Sequence, residues 1–279
     1  MRRRIVWFLA CVLPFAPGSV RAAEEMPVDV ELVLAVDASW SMDSGEQRIQ
    51  RDGYVAAFRS AEVQEAILGG GHQKVAVTYV EWAGEFSQSV IVPWTLIDSK
   101  ASAEAFAYRL SEEEPERARR TSISSAIDVA APMFDANGFK GLRRVIDVSG
   151  DGPNNQGRLV TEARDAAARR GITINGLPLM TSGASEGAAS WGSIPHLDRY
   201  YATCVIGGPG AFMIPVNDWA QFPEAVRRKL VMELAGGWPL PKVEDGERPV
   251  RIAADADAVD CLIGERQWQD RQFRWPTDR

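Results

Sequence analysis

Residues 28–41, VDVELVLAVDASWS, decide the fold. From Val28 to Val36 the chain is aliphatic with few polar interruptions, and at Asp37 it turns abruptly polar. Such a run suits a strand buried on both faces, because its alternate side chains then meet protein on either side. Asp37 falls at the carboxyl end of that strand, with Ser39 and Ser41 at alternate positions behind it. A carboxylate and two hydroxyls on one tight loop are hard oxygen donors suited to a small divalent cation. The same residues also suit a strand-end turn with a helix-capping serine, so the loop alone leaves both readings open.

The chain around this loop alternates strand and helix. Ile49, Gly53, Ala56, Ser60, Val63 and Ile67 recur at helical spacing, which predicts one helix from Glu46 to Leu68, stopped by Gly69-Gly70-Gly71. Lys74–Ala83 and Gln88–Ile97 read as strands joined by a short turn, an antiparallel hairpin whose second member carries Pro93 and belongs at an edge. Helices are expected over Ser102–Leu110, Ser122–Phe134 and Leu159–Arg170, and strands over Leu142–Ser149 and Ile172–Leu179. A Ser, Gly and Ala-rich loop follows at 181–193, then a last strand over Ala211–Val216 and a helix over Asp218–Ala235. This order predicts a doubly wound α/β domain, its sheet mostly parallel with one antiparallel edge strand and helices on both faces. Ligands of such folds sit beyond the carboxyl ends of the strands.

Two more segments open at that rim. Thr121 precedes a helix in RTSISSAI, and the strand ending at Ser149 runs into Gly150-Asp151-Gly152-Pro153-Asn154-Asn155. Here the sequence resembles the von Willebrand factor A family over roughly residues 28–235. The metal-ion-dependent adhesion site of that family is a DxSxS loop, a Thr from a second loop and an Asp from a D-G turn. Asp37, Ser39 and Ser41 match the first element, Thr121 the second, and Asp151 with Gly152 the third. More narrowly, VEWAG (80–84), IDVSGDGPNN (146–155), ITINGLP (172–178) and CVIGGPGAF (204–212) resemble an exported bacterial family of unknown function.

The resemblance implies binding. The five residues would hold Mg²⁺, or Mn²⁺ or Ca²⁺, and leave one coordination position for an Asp or Glu carboxylate of a partner protein. With only two anionic ligands the site would keep some positive character and favour that carboxylate. Trp40 and Arg120 stand where many relatives carry Gly; with Asn154 they are candidate partner contacts. Asp147 is an alternative ligand, but a mid-strand residue points into the sheet and Asp151 is the better choice. Glu81 and Trp82 end a strand near the rim or in the core, Asn154 and Asn155 suit turn chemistry as well as orienting a partner, and His196 in PHLD reads as a turn residue.

Composition bounds the alternatives. The 279 residues are 46% hydrophobic and 25% charged, an ordinary globular profile, and the net charge of −7 argues against a nucleic-acid binder. Two histidines and three cysteines without a CxxC leave little for imidazole or thiolate metal sites. An Mg²⁺-dependent phosphoryl-transfer or hydrolytic enzyme is a competing reading, weakened by the lack of a P-loop, a GxSxG elbow and an Asp two residues after Asp37. A structural envelope component with a vestigial metal site is another.

Arg2-Arg3-Arg4, the apolar run Ile5–Ala16 and Val20-Arg21-Ala22 read as a secretory signal peptide over residues 1–22. The apolar run falls short of the roughly 20 residues that span a bilayer. The protein is therefore expected to be periplasmic or secreted, with no membrane span after cleavage and a net charge of −11. The expected organisation is a domain over 23–235 and a tail over 236–279. In an oxidising compartment the two remaining cysteines suggest a Cys204–Cys261 disulfide tethering that tail, against the alternative of two buried thiols.

Overall fold

The computed structural model describes residues 25–181, 193–235 and 259–274. The segment read as a signal peptide, most of the 181–193 loop and much of the tail lie outside the described residues. Five strands form one sheet: β1 (Met26–Asp37), β2 (Val75–Trp82), β3 (Gln88–Ile97), β4 (Phe139–Gly150) and β5 (Ile172–Pro178). Their order is β3-β2-β1-β4-β5, with β1 parallel to β2 and β4, β4 parallel to β5, and β3 antiparallel to β2. The doubly wound α/β expectation and its antiparallel edge strand are both met.

Alternation along β1 divides the core. Val30, Leu32, Leu34 and Val36 face one layer, built on α1 (Ser44–Arg59), α2 (Ala61–Leu68), α3 (Lys100–Glu112) and α7 (Phe222–Leu234). Val33 and Ala35 face the other, built on α4 (Ile123–Ala130), α5 (Val160–Arg169) and α6 (Leu197–Tyr200). Both layers bury β1, so its sequence needs no polar face. The register sets Asp37 beside Trp82 and Val36 beside Ser149, bringing the carboxyl ends of β1, β2 and β4 to one edge.

Three expected elements differ. The single helix over 46–68 is two, because extended Ser60 donates to the Ala57 carbonyl at 2.7 Å while its Oγ accepts from Val63 N at 3.3 Å. It ends α1 and caps α2, a role its helical spacing conceals. The helix over 122–134 finishes as a 3-10 turn, Ala131–Phe134, at Pro132. The last strand, 211–216, is reduced to bridges between Gly176 and Met213 and between Leu179 and Val216. Pro178 lies between these bridges and has no N–H to continue the ladder.

Candidate metal centre

Three loops meet at the carboxyl edge. The first follows β1: the Oδ1 of buried Asp37 accepts from Ser39 N at 2.7 Å, and its carbonyl accepts from Gln50 Nε2 of α1 at 2.9 Å. Ala38 and Trp40 exchange backbone bonds with Ala118, which braids this loop to residues 116–120. The second loop carries Thr121. Its N–H donates to Asn155 Oδ1 at 3.0 Å, and its carbonyl accepts from Asn155 N at 2.8 Å. Ser122 then caps α4 through Ser125 N. The third loop leaves β4 at Gly150, where a Cβ would lie 2.9 Å from Asp37 Oδ2. Only glycine lets the strand end so close to that carboxylate.

The loops close on a chain of hydroxyls. Ser39 Oγ lies 2.7 Å from Ser41 Oγ, which donates to Asp151 Oδ1 at 2.7 Å. Asp37 and Asp151 are each 1% exposed, and the second carboxylate oxygen of each is buried with no hydrogen-bond partner. Burial first, then the Asp151 charge, pushes the Asp37 carboxyl well above the usual range, and burial raises Asp151 to about 6. Thr121 is buried at the same rim, and Ser41 is the more open member of the set. Two orphaned carboxylate oxygens beside the hydroxyls of Ser39 and Ser41 are hard oxygen donors of the kind that suit a small divalent cation. Among the described residues no three His, Cys, Asp or Glu cluster as an alternative metal group.

The other singled-out residues separate. Asp147 faces α7 and pairs with Lys229, away from the three loops. Glu81 pairs with Arg51 in the interior, Trp82 is buried, and His196 takes left-handed φ in the turn before α6. Trp40 is 51% exposed, with the Arg119 guanidinium 4.6 Å from its ring. The assignment of Asn154 to the partner surface is corrected: it is 0% exposed, because its side chain is consumed by Ser124 N, the Arg158 carbonyl and Glu265. Arg120 is part-exposed, and its guanidinium stacks on the chain's own Trp268. The sequence reading missed Tyr201, whose hydroxyl reaches the Gly150 carbonyl at 3.4 Å and whose phenol is raised by burial, Asp37 and Asp151. It also missed α8 (Ile263–Arg274), a polar helix without an apolar stripe to announce it.

Cys204 and Cys261 are bridged, with Cα atoms 5.6 Å apart. Among the described residues no helix is long and apolar enough to cross a membrane.

A family model described as "Protein of unknown function (DUF1194)" matches residues 27–238. No curated protein matches the chain. Among solved structures, proximal thread matrix protein 1 of the mussel byssus is similar with a TM-score of 0.54 and 16% identity. The likeness covers 77% of this chain and 50% of that protein, so the chain spans half of its length. A second structure of that protein, described with a zinc-occupied MIDAS motif, matches equally. The pilus adhesin SpaC of Lactobacillus rhamnosus GG has a TM-score of 0.51 and 11% identity over 74% of this chain and 31% of its own. These likenesses concern the fold, a von Willebrand factor A-like doubly wound α/β domain.

Proposed function

Because this chain belongs to that family of unknown function through residues 27–238, we propose its role from the site itself: a divalent-cation-dependent protein-binding module of the adhesion or scaffold kind. The observation that carries this reading is the pair of buried, unpartnered oxygens, Asp37 Oδ2 and Asp151 Oδ2. Two carboxylates held so deeply must either keep protons or share a cation. Asp37, Ser39, Ser41, Thr121 and Asp151 would hold Mg²⁺, with Mn²⁺ or Ca²⁺ as substitutes. The bound cation supplies a coordination position that an Asp or Glu carboxylate of a partner protein can fill. Ser41, the most open of the five, lies on the side where that carboxylate enters, and exposed Trp40 flanks it.

We read the site as binding rather than catalytic. Both histidines sit elsewhere, His72 with its N–H on Asp29 and His196 in its turn, so Ser39 has no imidazole base. Export through the 1–22 segment belongs to the same proposal and would place the module in the periplasm or outside the cell.

The test is isothermal titration of the full chain with Mg²⁺ and Mn²⁺, beside a thermal melt with and without the ion. Heat and a raised melting temperature are expected, both lost in Asp37→Ala and Asp151→Ala. A folded wild-type protein that gives neither would sink the reading.

A further inference from the structure

The tail helix α8 reaches two of the three loops that build the site. It starts just after Cys261, which is bonded to Cys204 on the π turn Tyr201–Val205 that follows α6. Val259, Cys261 and Ile263 pack against the core layer of α4 to α6. Beyond them α8 is polar, and its contacts fall on the rim. Gly264 meets the third loop so closely that a Cβ would lie 2.1 Å from the Asn154 carbonyl oxygen. One turn carries Glu265, whose Oε1 accepts from Asn154 Nδ2 at 2.8 Å. The next carries Trp268, whose ring lies 3.2 Å from the Arg120 guanidinium carbon. Arg120 immediately precedes Thr121, and Asn154 follows Asp151 by three residues.

These contacts continue into the site. Asn154 Oδ1 accepts from Ser124 N in the first turn of α4, at 2.9 Å, and Asn155 pairs twice with Thr121. Arg120 has φ of 80°, a left-handed conformation that carries a steric cost for a residue with a Cβ. Stacking on Trp268 offsets part of that cost. On the reading that the five residues hold a cation, we propose that α8 is a positioning element of the site. It clamps the Thr121 loop to the Asp151 loop, and Gly264, Glu265 and Trp268 set the ligand geometry without touching the cation.

The test combines hydrogen exchange, read at residues 121–125, 151–155 and α8 itself, with Mn²⁺ titration of the full chain. Trp268→Ala should speed exchange in both loops and weaken Mn²⁺ by roughly 10-fold, the low end of what removing an outer-shell partner costs. Trp268→Phe keeps a ring beneath Arg120 and should recover most of both, a rescue that a purely structural role would not require. Gly264→Val should release α8 with the same two consequences. Where that variant fails to fold, Glu265→Ala removes only the acceptor of Asn154. Wild-type exchange in both loops together with wild-type Mn²⁺ affinity, while the amides of α8 show it displaced, overturns the clamp. A wild-type protein that binds no Mn²⁺ counts against the cation site instead. Loop exchange then judges the clamp alone: faster exchange on release supports it and unchanged exchange overturns it.

Discussion

Ser41 donates its hydroxyl to Asp151 Oδ1 at 2.7 Å, joining the first and third loops across 110 residues of sequence. That bond links the two loops side chain to side chain, and through it Ser41 donates to a buried carboxylate. Ser41→Ala should therefore destabilise the metal-free protein by about 1–3 kcal/mol, the penalty for stripping a buried acceptor of its partner. Ser41→Thr keeps a hydroxyl and should lose less. Urea midpoints decide it, and an unchanged midpoint for the alanine variant would show that the bond contributes nothing.

A second buried charge group gives the protein a pH dependence. Glu233 of α7 faces Asp147 of β4, with Lys229 pairing both and Asn175 donating to Glu233 at 2.9 Å. Arg143 binds the Glu233 main-chain carbonyl. Burial first and Asp147 second raise the Glu233 carboxyl from 4.5 to about 7, against the pull of Lys229 and Asn175. Between these two values the folded state holds a proton that the unfolded state has released. This group's contribution is thus greatest below pH 4.5 and diminishes as pH rises to 7. Glu233→Gln should flatten that part of the stability profile, measured by denaturation across the window. A slope identical to wild type would refute the assignment.

Arg51 and Glu81 are an ion pair buried between α1 and the end of β2. Arg51→Ala strands a buried carboxylate and should cost about 3–5 kcal/mol, whereas replacing both partners by Met and Leu should cost much less. Chemical denaturation of the single and double variants tests the ordering, and additive losses would contradict it.

The Cys204–Cys261 bond closes a loop of 57 residues. A loop of that length stabilises by about 4 kcal/mol in the chain-entropy view. Within residues 23–279, mass spectrometry should show no alkylatable thiol before reduction and two afterwards. Reduction should free the segment from Val259 onward to proteases before the domain unfolds. Two thiols that alkylate without a reductant would dispose of the bridge.

Trp40 is exposed and stacked on Arg119. Trp40→Ala should change stability by no more than about 0.5 kcal/mol and leave Mn²⁺ titration as in wild type. Loss of a partner that wild type retains in Mn²⁺ and releases in EDTA would mark the ring as a docking contact. Undiminished capture by the variant would remove Trp40 from the interface.

Much of the fold is legible locally. The apolar run of β1, the turn to Asp37 and the strand–helix alternation each follow from side-chain period and burial, properties that adjacent residues share. The choice of Asp151 over Asp147 is also a matter of parity and position: Asp147 lies mid-strand toward α7, and Asp151 lies past the end. Local pattern failed where one residue served two elements. Ser60 keeps helical spacing and yet divides α1 from α2, and Pro178 interrupts a ladder that the apolar run 211–216 would otherwise complete.

By itself the sequence determined the α/β order and the loop in which Asp37 is followed by Ser39 and Ser41, since both are written in neighbours along the chain. Only the tertiary structure decided what those residues meet. It brought Ser41 to Asp151, turned Asn154 inward, and placed the tail's Trp268 beneath Arg120. Each contact joins segments distant in sequence through a few hydrogen bonds or a ring face. Such a contact leaves no period in either segment, so it becomes visible only when packing of the sheet and its helices brings the loops together.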